Sequence, residues 1–290
     1  MSVAVLGPGA VGGALAARLA SSGQRVICVA SARVAEAIHE RGLTLSWLDL
    51  MFATRPEAVE RLIEPVDLLL VTVKARDLDG ALDRIQEEAA VVLPLMNGLE
   101  HPAVLRRRLG RRVVPGSIRI EAVSPEPAFV VQQSPFTIVR LASDDLPRDR
   151  LERVAALLEG AQIETHVDES EKAVLWEKAA RLAALAPATA LAQRPVGELR
   201  ADPEWRPRLE AAIAEACAVA SADGAPTAAA VQWAIIDSLP EALTTSAARD
   251  IAAGRPSELD AITGAVVRAG RRLGVPTPTL DELLERCRRQ

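Results

Sequence analysis

Three lysines and a single asparagine stand out in this 290-residue chain, which otherwise avoids both types. Of 34 basic side chains only Lys74, Lys172 and Lys178 are lysines, and Asn97 is the only asparagine. A GC-rich genome accounts for such bias. Each exception is still informative, because an ammonium gives up a proton and serves as an acid or base where a guanidinium does not. Lys178 lies in the stretch Ala-Val-Leu-Trp-Glu-Lys-Ala-Ala-Arg-Leu over 173–182. On a helix, Leu175, Leu182 and Leu185 share its side. A lysine on an apolar face either snorkels its ammonium to water or is desolvated. Desolvation lowers its pKa from the usual ~10.4 and makes it a workable general acid. Lys172, among Glu169, Ser170 and Glu171, is in solvated company.

Lys74 closes the near-continuous apolar run 66–73, and Asn97 follows the apolar run 90–96. In open α/β sheets ligands bind at the carboxyl ends of strands. Two scarce residue types at neighbouring strand ends therefore mark a candidate site edge. The plain alternative for Lys74 is a solvated strand-end lysine.

A third cluster opens the chain. Residues 2–6 are apolar in the main and run into Gly7-Pro8-Gly9-Ala10-Val11-Gly12-Gly13, followed by a small-residue helical pattern. Gly7, Gly9 and Gly12 match the Gly-x-Gly-x-x-Gly fingerprint of dinucleotide-binding folds. The three positions serve a tight turn, close backbone approach to a pyrophosphate, and close packing of helix on strand. The helix start adds unpaired N–H groups and the positive end of its dipole. An acidic residue about 20 positions on would hold the ribose hydroxyl of NAD. Here the second strand is followed by Ser31, Ala32 and Arg33, with no acid before Glu36. Ser31 and Arg33 favour the 2′-phosphate of NADP, unless Arg33 merely occupies the first turn of the next helix.

The elements that must position these residues fall into two textures. Strands are predicted near 2–7, 25–30, 43–47, 66–73, 90–96 and 112–118, alternating with helices near 10–22, 32–41, 77–88 and 101–109. That alternation implies a parallel, doubly wound sheet. Residues 128–142 read as two antiparallel strands about a Ser-Pro turn, followed by a helix (150–159) and a strand (162–167). From about 170 alanine-rich helical periodicity takes over, with helices over 170–192, 203–223, 226–237, 240–253, 256–273 and 279–289. Pro187 kinks or breaks the first of these. The fold class is an α/β N-terminal Rossmann-type doubly wound sheet plus an all-α C-terminal domain. The domains are a dinucleotide-binding one over 1–168 and a helical substrate domain over 169–290.

Composition narrows the function classes. A net charge of −5 argues against a nucleic-acid surface. No apolar run approaches the roughly 20 residues needed to span a bilayer. Cys28, Cys217 and Cys287 are far apart and read as reduced thiols in a cytoplasmic protein. His39, His101 and His166 are scattered, which leaves no metal-ligand pattern.

Taken together, the residues resemble the ketopantoate reductases (2-dehydropantoate 2-reductases) over essentially the whole chain. The resemblance rests on Gly7–Gly13, Val73-Lys74, Asn97-Gly98 and Leu175-Trp176-x-Lys178. It also rests on Gly197-Glu198-Leu199, Ser257-Glu258-Leu259-Asp260-x-x-x-Gly264 and Gly274-Val275-Pro276-Thr277-Pro278. It implies that Gly7, Pro8, Gly9, Ala10, Val11 and Gly12 hold the NADP(H) pyrophosphate, with Ser31 where the family usually has an arginine. Lys74, Asn97 and Ala122 would line the nicotinamide half of the cofactor site, and Glu258 would reach the cofactor. Lys178 would be the general acid that protonates the ketone oxygen, and Ser246 would contact the substrate. The chain departs from the family pattern at Leu182, Ala186 and Val196, where the family has asparagines.

Two classes of function follow. One is an NADPH-dependent reductase of a 2-oxo acid or related ketone, including a divergent form that takes a less polar ketone. The other is a non-catalytic NADP(H)-binding sensor. Members of the family often dimerise, and the alanine-rich helices offer surfaces for a homodimer, which the sequence leaves open.

Overall fold

The computed structural model describes residues 1–289, and the backbone divides into two units. The first comprises residues 1–96 and 101–171; the second comprises 97–100 and 172–290. The linear reading set its single boundary at 168. The four-residue segment Asn97–Glu100 therefore leaves the sheet unit in mid-course and belongs with the helices.

In the sheet unit, β1 (Ser2–Leu6), α1 (Ala10–Ser21), β2 (Arg25–Val29) and α2 (Ala32–Arg41) follow the predicted alternation. Then come β3 (Leu43–Trp47), β4 (Leu50–Thr54), β5 (Glu57–Val59), β6 (Val66–Val71), α3 (Leu78–Leu82) and β7 (Ala89–Pro94). After α4 (His101–Leu109) the chain forms β8 (Gly116–Arg119), β9 (Ala122–Glu126), β10 (Phe129–Gln132) and β11 (Ile138–Leu141). It closes with α5 (Arg148–Glu159) and β12 (Glu164–Val167). The central sheet is parallel, in the order β5-β2-β1-β6-β7. Val3 to Leu6, Val26 to Val29 and Leu68 to Val71 are nearly inaccessible, as strands covered on both faces must be. Because β1 lies between β2 and β6, its carboxyl end is a topological switch point, where a crevice forms.

Two sequence expectations fail here for one reason. β3 does not join the central sheet. It pairs antiparallel with β4 and parallel with β10 in a second sheet, ordered β4-β3-β10-β9. Nor do residues 128–142 make a hairpin: β10 stays in that second sheet, while β11 pairs with β8 and β12 in a third. Between them, the Gln132 side chain and the Ser134 hydroxyl both donate to the Phe136 carbonyl, turning the chain out of its sheet. Strand partners are chosen by burial of whole faces, which a local turn signal does not reveal. The second sheet is fastened to α1 by buried Arg18, which stacks on Trp47 and donates to the Gln132 amide oxygen at 3.0 Å.

The helical unit contains nearly all of α6 (Glu171–Ala192), then α7 (Val196–Ala201), α8 (Trp205–Ala222) and α9 (Ala229–Ser238). It ends with α10 (Ser246–Ala252), a π-helical turn (Asp260–Gly264), α11 (Ala265–Leu273) and α12 (Pro278–Arg288). Pro187 lies inside α6 and does not end it. The helix predicted over 240–253 begins only at Ser246, because Thr245 caps it: the Thr245 hydroxyl accepts from the Ala248 N–H. The rotation of α6 is set by Trp176, which is buried and donates from Nε1 to Asp223 at 2.9 Å. Ala180, Ala183, Ala184 and Ala188 are fully buried against Leu209, Ile213, Ala216 and Val266. Small side chains let these helices approach closely, which explains the alanine richness. No helix among the described residues is long and apolar enough to cross a membrane.

Candidate active site

The glycine turn sits at the switch point and each glycine has a distinct surrounding. Gly7 has φ +86°, a left-handed value, and an added Cβ would stand 2.5 Å from the Val73 side chain. Gly12 is buried, and a Cβ there would collide with the Thr72 hydroxyl and the Gly7 carbonyl. That hydroxyl is committed, donating to the carbonyls of Leu6 and Gly7 at 3.1 and 2.9 Å. Gly9 differs from both. It is exposed, its φ is −79°, and nothing lies within 4 Å of an added Cβ. It also contributes no side-chain cap to α1. Open space over Gly9, in front of uncapped first-turn N–H groups, fits the pyrophosphate of a dinucleotide. Pro8, Ala10 and Val11 complete the turn.

At the end of β2, Ser31 is the N-cap position of α2, yet its side chain caps nothing. Ser31 and Arg33 are both exposed, and their side chains make no hydrogen bond or ion pair among the described residues. Lys74 is half-buried and stands three residues past β6, as the N-cap of a short 3-10 turn. It does not terminate the strand as the sequence suggested. Ala122 begins β9, at the edge of the second sheet.

In the helical unit three of the singled-out residues come together. The Lys178 Nζ donates to the Asn97 Oδ1 at 2.9 Å, and the Asn97 Nδ2 donates to a Glu258 carboxylate oxygen at 3.2 Å. All three are half-buried. A cation on one side and a carboxylate on the other need a group that both accepts and donates, and among side chains without a titratable proton a primary amide supplies both. Its orientation is dictated by its neighbours, with the carbonyl to the ammonium and the N–H to the carboxylate. This arrangement gives a physical reason for the lone asparagine of the chain. Gly98 follows with φ +94°, and a Cβ there would collide with the Ala261 carbonyl of the π-helical turn. Asn97 thus stands on a backbone that only glycine can complete. Like Lys74, it lies three residues beyond the end of its strand, β7, rather than at it.

Ser246, the first residue of α10, is exposed, and its side chain makes no hydrogen bond among the described residues. Of the three positions where the family pattern has asparagine, Leu182 and Ala186 pack in one cluster with Ala247, Ala248, Leu259 and Ile262. Val196 is different: it is fully buried in the main helical core. Sequence reasoning passed over Asp223, which accepts from the Trp176 Nε1, and Thr263, whose hydroxyl donates to the Ala183 carbonyl of α6 at 3.0 Å. A proline inside a helical pattern was the one available signal, because it leaves a carbonyl in need of a donor. Among the described residues no group of three or more His, Cys, Asp or Glu side chains is placed to hold a metal.

A glycine turn at the switch point of a parallel sheet makes the first unit a Rossmann-type dinucleotide-binding fold. Comparison with known proteins narrows the class. A family model described as ketopantoate reductase PanE/ApbA matches residues 3–141, and its C-terminal counterpart matches 172–289. The 2-dehydropantoate 2-reductase of Caulobacter vibrioides is 33% identical over 295 residues, covering 96% of this chain and 94% of the relative. Among solved structures, a PanE/ApbA family ketopantoate reductase from Ralstonia eutropha superposes with a TM-score of 0.88 at 27% identity, covering 99% and 97% of the two chains. A D-mandelate dehydrogenase in ternary complex with NADH and anilino(oxo)acetate shares the fold, with a TM-score of 0.93 at 22% identity and coverage of 100% and 97%. The chain belongs to the ketopantoate reductase family.

Proposed function

We propose that this protein is an NADPH-dependent reductase of a 2-oxo acid or related ketone, with Lys178 as the proton donor. The observation that carries the reading is the hydrogen-bond chain Lys178–Asn97–Glu258. The residues around Gly9, with Ser31 and Arg33, fit the phosphates of the cofactor, which when bound supplies a hydride to the carbonyl carbon. Reduction of the ketone to an alcohol also requires one proton at the former carbonyl oxygen. Lys178 holds that proton at Nζ. Asn97 accepts one N–H of the ammonium at 2.9 Å and so fixes where Nζ stands. Glu258 fixes the amide and so fixes the direction from which Asn97 holds the lysine. A positioned acid of this kind contributes about 10²- to 10⁴-fold to rate.

A second reading concerns the substrate. One and two helical turns beyond Lys178, the side chains are Leu182 and Ala186, packed among other apolar groups. Polar recognition of a hydroxylated substrate needs hydrogen-bonding groups, and a wall without them favours a less polar ketone. The 2-dehydropantoate reductase activity named for the relatives and reduction of a 2-oxo acid with an apolar substituent are therefore the two substrates to compare.

The test is turnover of NADPH and of NADH, followed by loss of reduced-nicotinamide absorbance, with ketopantoate beside a panel of apolar 2-oxo acids. Lys178→Ala is expected to lose about 10²-fold or more in kcat on whichever substrate is turned over. Unchanged kcat in that variant would overturn the assignment. Tight NADPH binding with no ketone reduced would point to the sensor alternative instead.

A further inference from the structure

Pro187 sits in the middle of α6 and has no N–H. In a regular helix that N–H would bond the carbonyl four residues earlier, which is that of Ala183. Ala183 is fully buried, so water does not replace the missing donor. The Thr263 hydroxyl does: it donates to the Ala183 carbonyl at 3.0 Å, and Thr263 is itself fully buried.

Thr263 belongs to the π-helical turn Asp260–Gly264. Widened turns of this kind recur at functional sites, where they change the direction of a helix side chain. Glu258 lies two residues before this turn, and the Ala261 carbonyl within it backs onto Gly98, the neighbour of Asn97. One segment of six residues therefore carries Glu258 at one end, the support of Asn97 in its middle, and a bond to the lysine helix at the other. The β-branched Thr263 has few rotamers to lose, so its bond to α6 is held stiffly.

We infer that Thr263 is a positioning residue: by filling the carbonyl that Pro187 leaves open, it sets the spacing between the helix of Lys178 and the segment of Glu258. The inference rests on the reading of Lys178 as the working acid for its effect on turnover. Its structural content stands apart from that reading. Valine at 263 keeps the shape and deletes the donor, and serine restores the donor. Alanine at 187 returns an N–H to α6 and makes the hydroxyl redundant.

The experiment uses the full chain with its lysines reductively dimethylated with ¹³C. Only three lysines and the N-terminus then report, and Lys178 is identified by loss of its signal in Lys178→Arg. In Thr263→Val the Lys178 resonance is expected to titrate with a displaced midpoint, while Lys74 and Lys172 are unmoved. Thr263→Ser should restore the wild-type midpoint, and Thr263→Val should have no effect in the Pro187→Ala background when compared with Pro187→Ala alone. On a turned-over substrate, unmodified Thr263→Val should lose about tenfold in kcat, with the limb of the kcat–pH profile moving in the same direction as the resonance. A wild-type Lys178 midpoint in Thr263→Val, or an equal effect with and without Pro187, would overturn the inference. If Lys178→Ala keeps full turnover, the proton-donor reading falls, and the resonance still decides whether Thr263 positions the lysine.

Discussion

Asn97 stands between Lys178 and Glu258, accepting from the first at 2.9 Å and donating to the second at 3.2 Å. This makes the consequence of one atom exchange calculable in sign. Asn97→Asp keeps the acceptor for the lysine and turns an N–H toward Glu258 into a second carboxylate oxygen. Two carboxylates at that distance repel, and one of them takes up a proton at a higher pH than usual. The expected result is a kcat lowered about tenfold or more near neutrality, from the loss of a charge-assisted hydrogen bond. As pH falls, the shared proton returns a donor to the pair. The ratio of variant to wild-type kcat should therefore rise toward pH 5, and a pH–rate profile of both proteins checks it.

The glycines of the turn should separate binding from folding. At Gly9 an added methyl meets nothing in the protein, so Gly9→Ala is expected to leave Tm nearly unchanged and to weaken NADPH binding. At Gly12 the methyl meets Thr72 and the Gly7 carbonyl, so Gly12→Ala should destabilise by about 1–3 kcal/mol. Thermal unfolding and a cofactor titration on both variants give the comparison.

Gly98→Ala combines a left-handed φ of +94° with a collision against backbone that has no flexible end to move aside. A strain of about 1–3 kcal/mol is expected from the backbone alone. Because Asn97 is the next residue, kcat should fall further than the loss of folded protein accounts for. Activity per folded molecule, normalised by circular dichroism, measures the difference.

Exposed Ser31 and Arg33 bear on cofactor choice. Arg33→Ala should raise KM for NADPH on the order of tenfold and leave that for NADH nearly unchanged, since only the former carries a 2′-phosphate for a guanidinium to hold. Equal effects on both cofactors would assign Arg33 to the surface of α2.

Burial pushes the Cys28 thiol up to about 12 and the Cys287 thiol up to about 11. In the unfolded chain a thiol titrates near ~8.5. Above that pH the unfolded state loses a proton that the folded state keeps, so stability falls as pH rises toward 11 and 12. Below it the contribution is complete. Tm of the wild type should decline on the alkaline side, and Cys28→Ala should flatten that decline.

The parts of the fold that were legible in the sequence are those whose cause is local. The run from Ser2 into Gly7, Gly9 and Gly12 fixes strand, turn and helix within a few residues, and the structure has all three. The run of small residues along α6 likewise announces a buried helix. What failed was pairing at a distance. β3 leaves the central sheet because β10, more than eighty residues later, offers it a parallel partner, and β10 parts from β11 although only a Ser-Pro turn separates them. The site shows the same division. Scarcity drew attention to Lys178 and Asn97, but nothing in their spacing says that one donates to the other. Thr263 was silent, because a threonine in a helical pattern does not disclose which distant carbonyl lacks a donor.

Segment Asn97–Glu100 has a consequence for the order in which the protein comes into being. Asn97 and Glu258 are separated by 161 positions. At a synthesis rate of about 5–20 residues per second, the first waits roughly 10–30 s for the second to leave the ribosome. The sheet that flanks Asn97 can form in that interval, while its own lysine and carboxylate do not yet exist in folded form. A nascent chain halted before residue 258 should thus hold a finished cofactor turn and an asparagine still facing water. The Asn97–Glu258 hydrogen bond closes only after both ends of that 161-residue interval have been made.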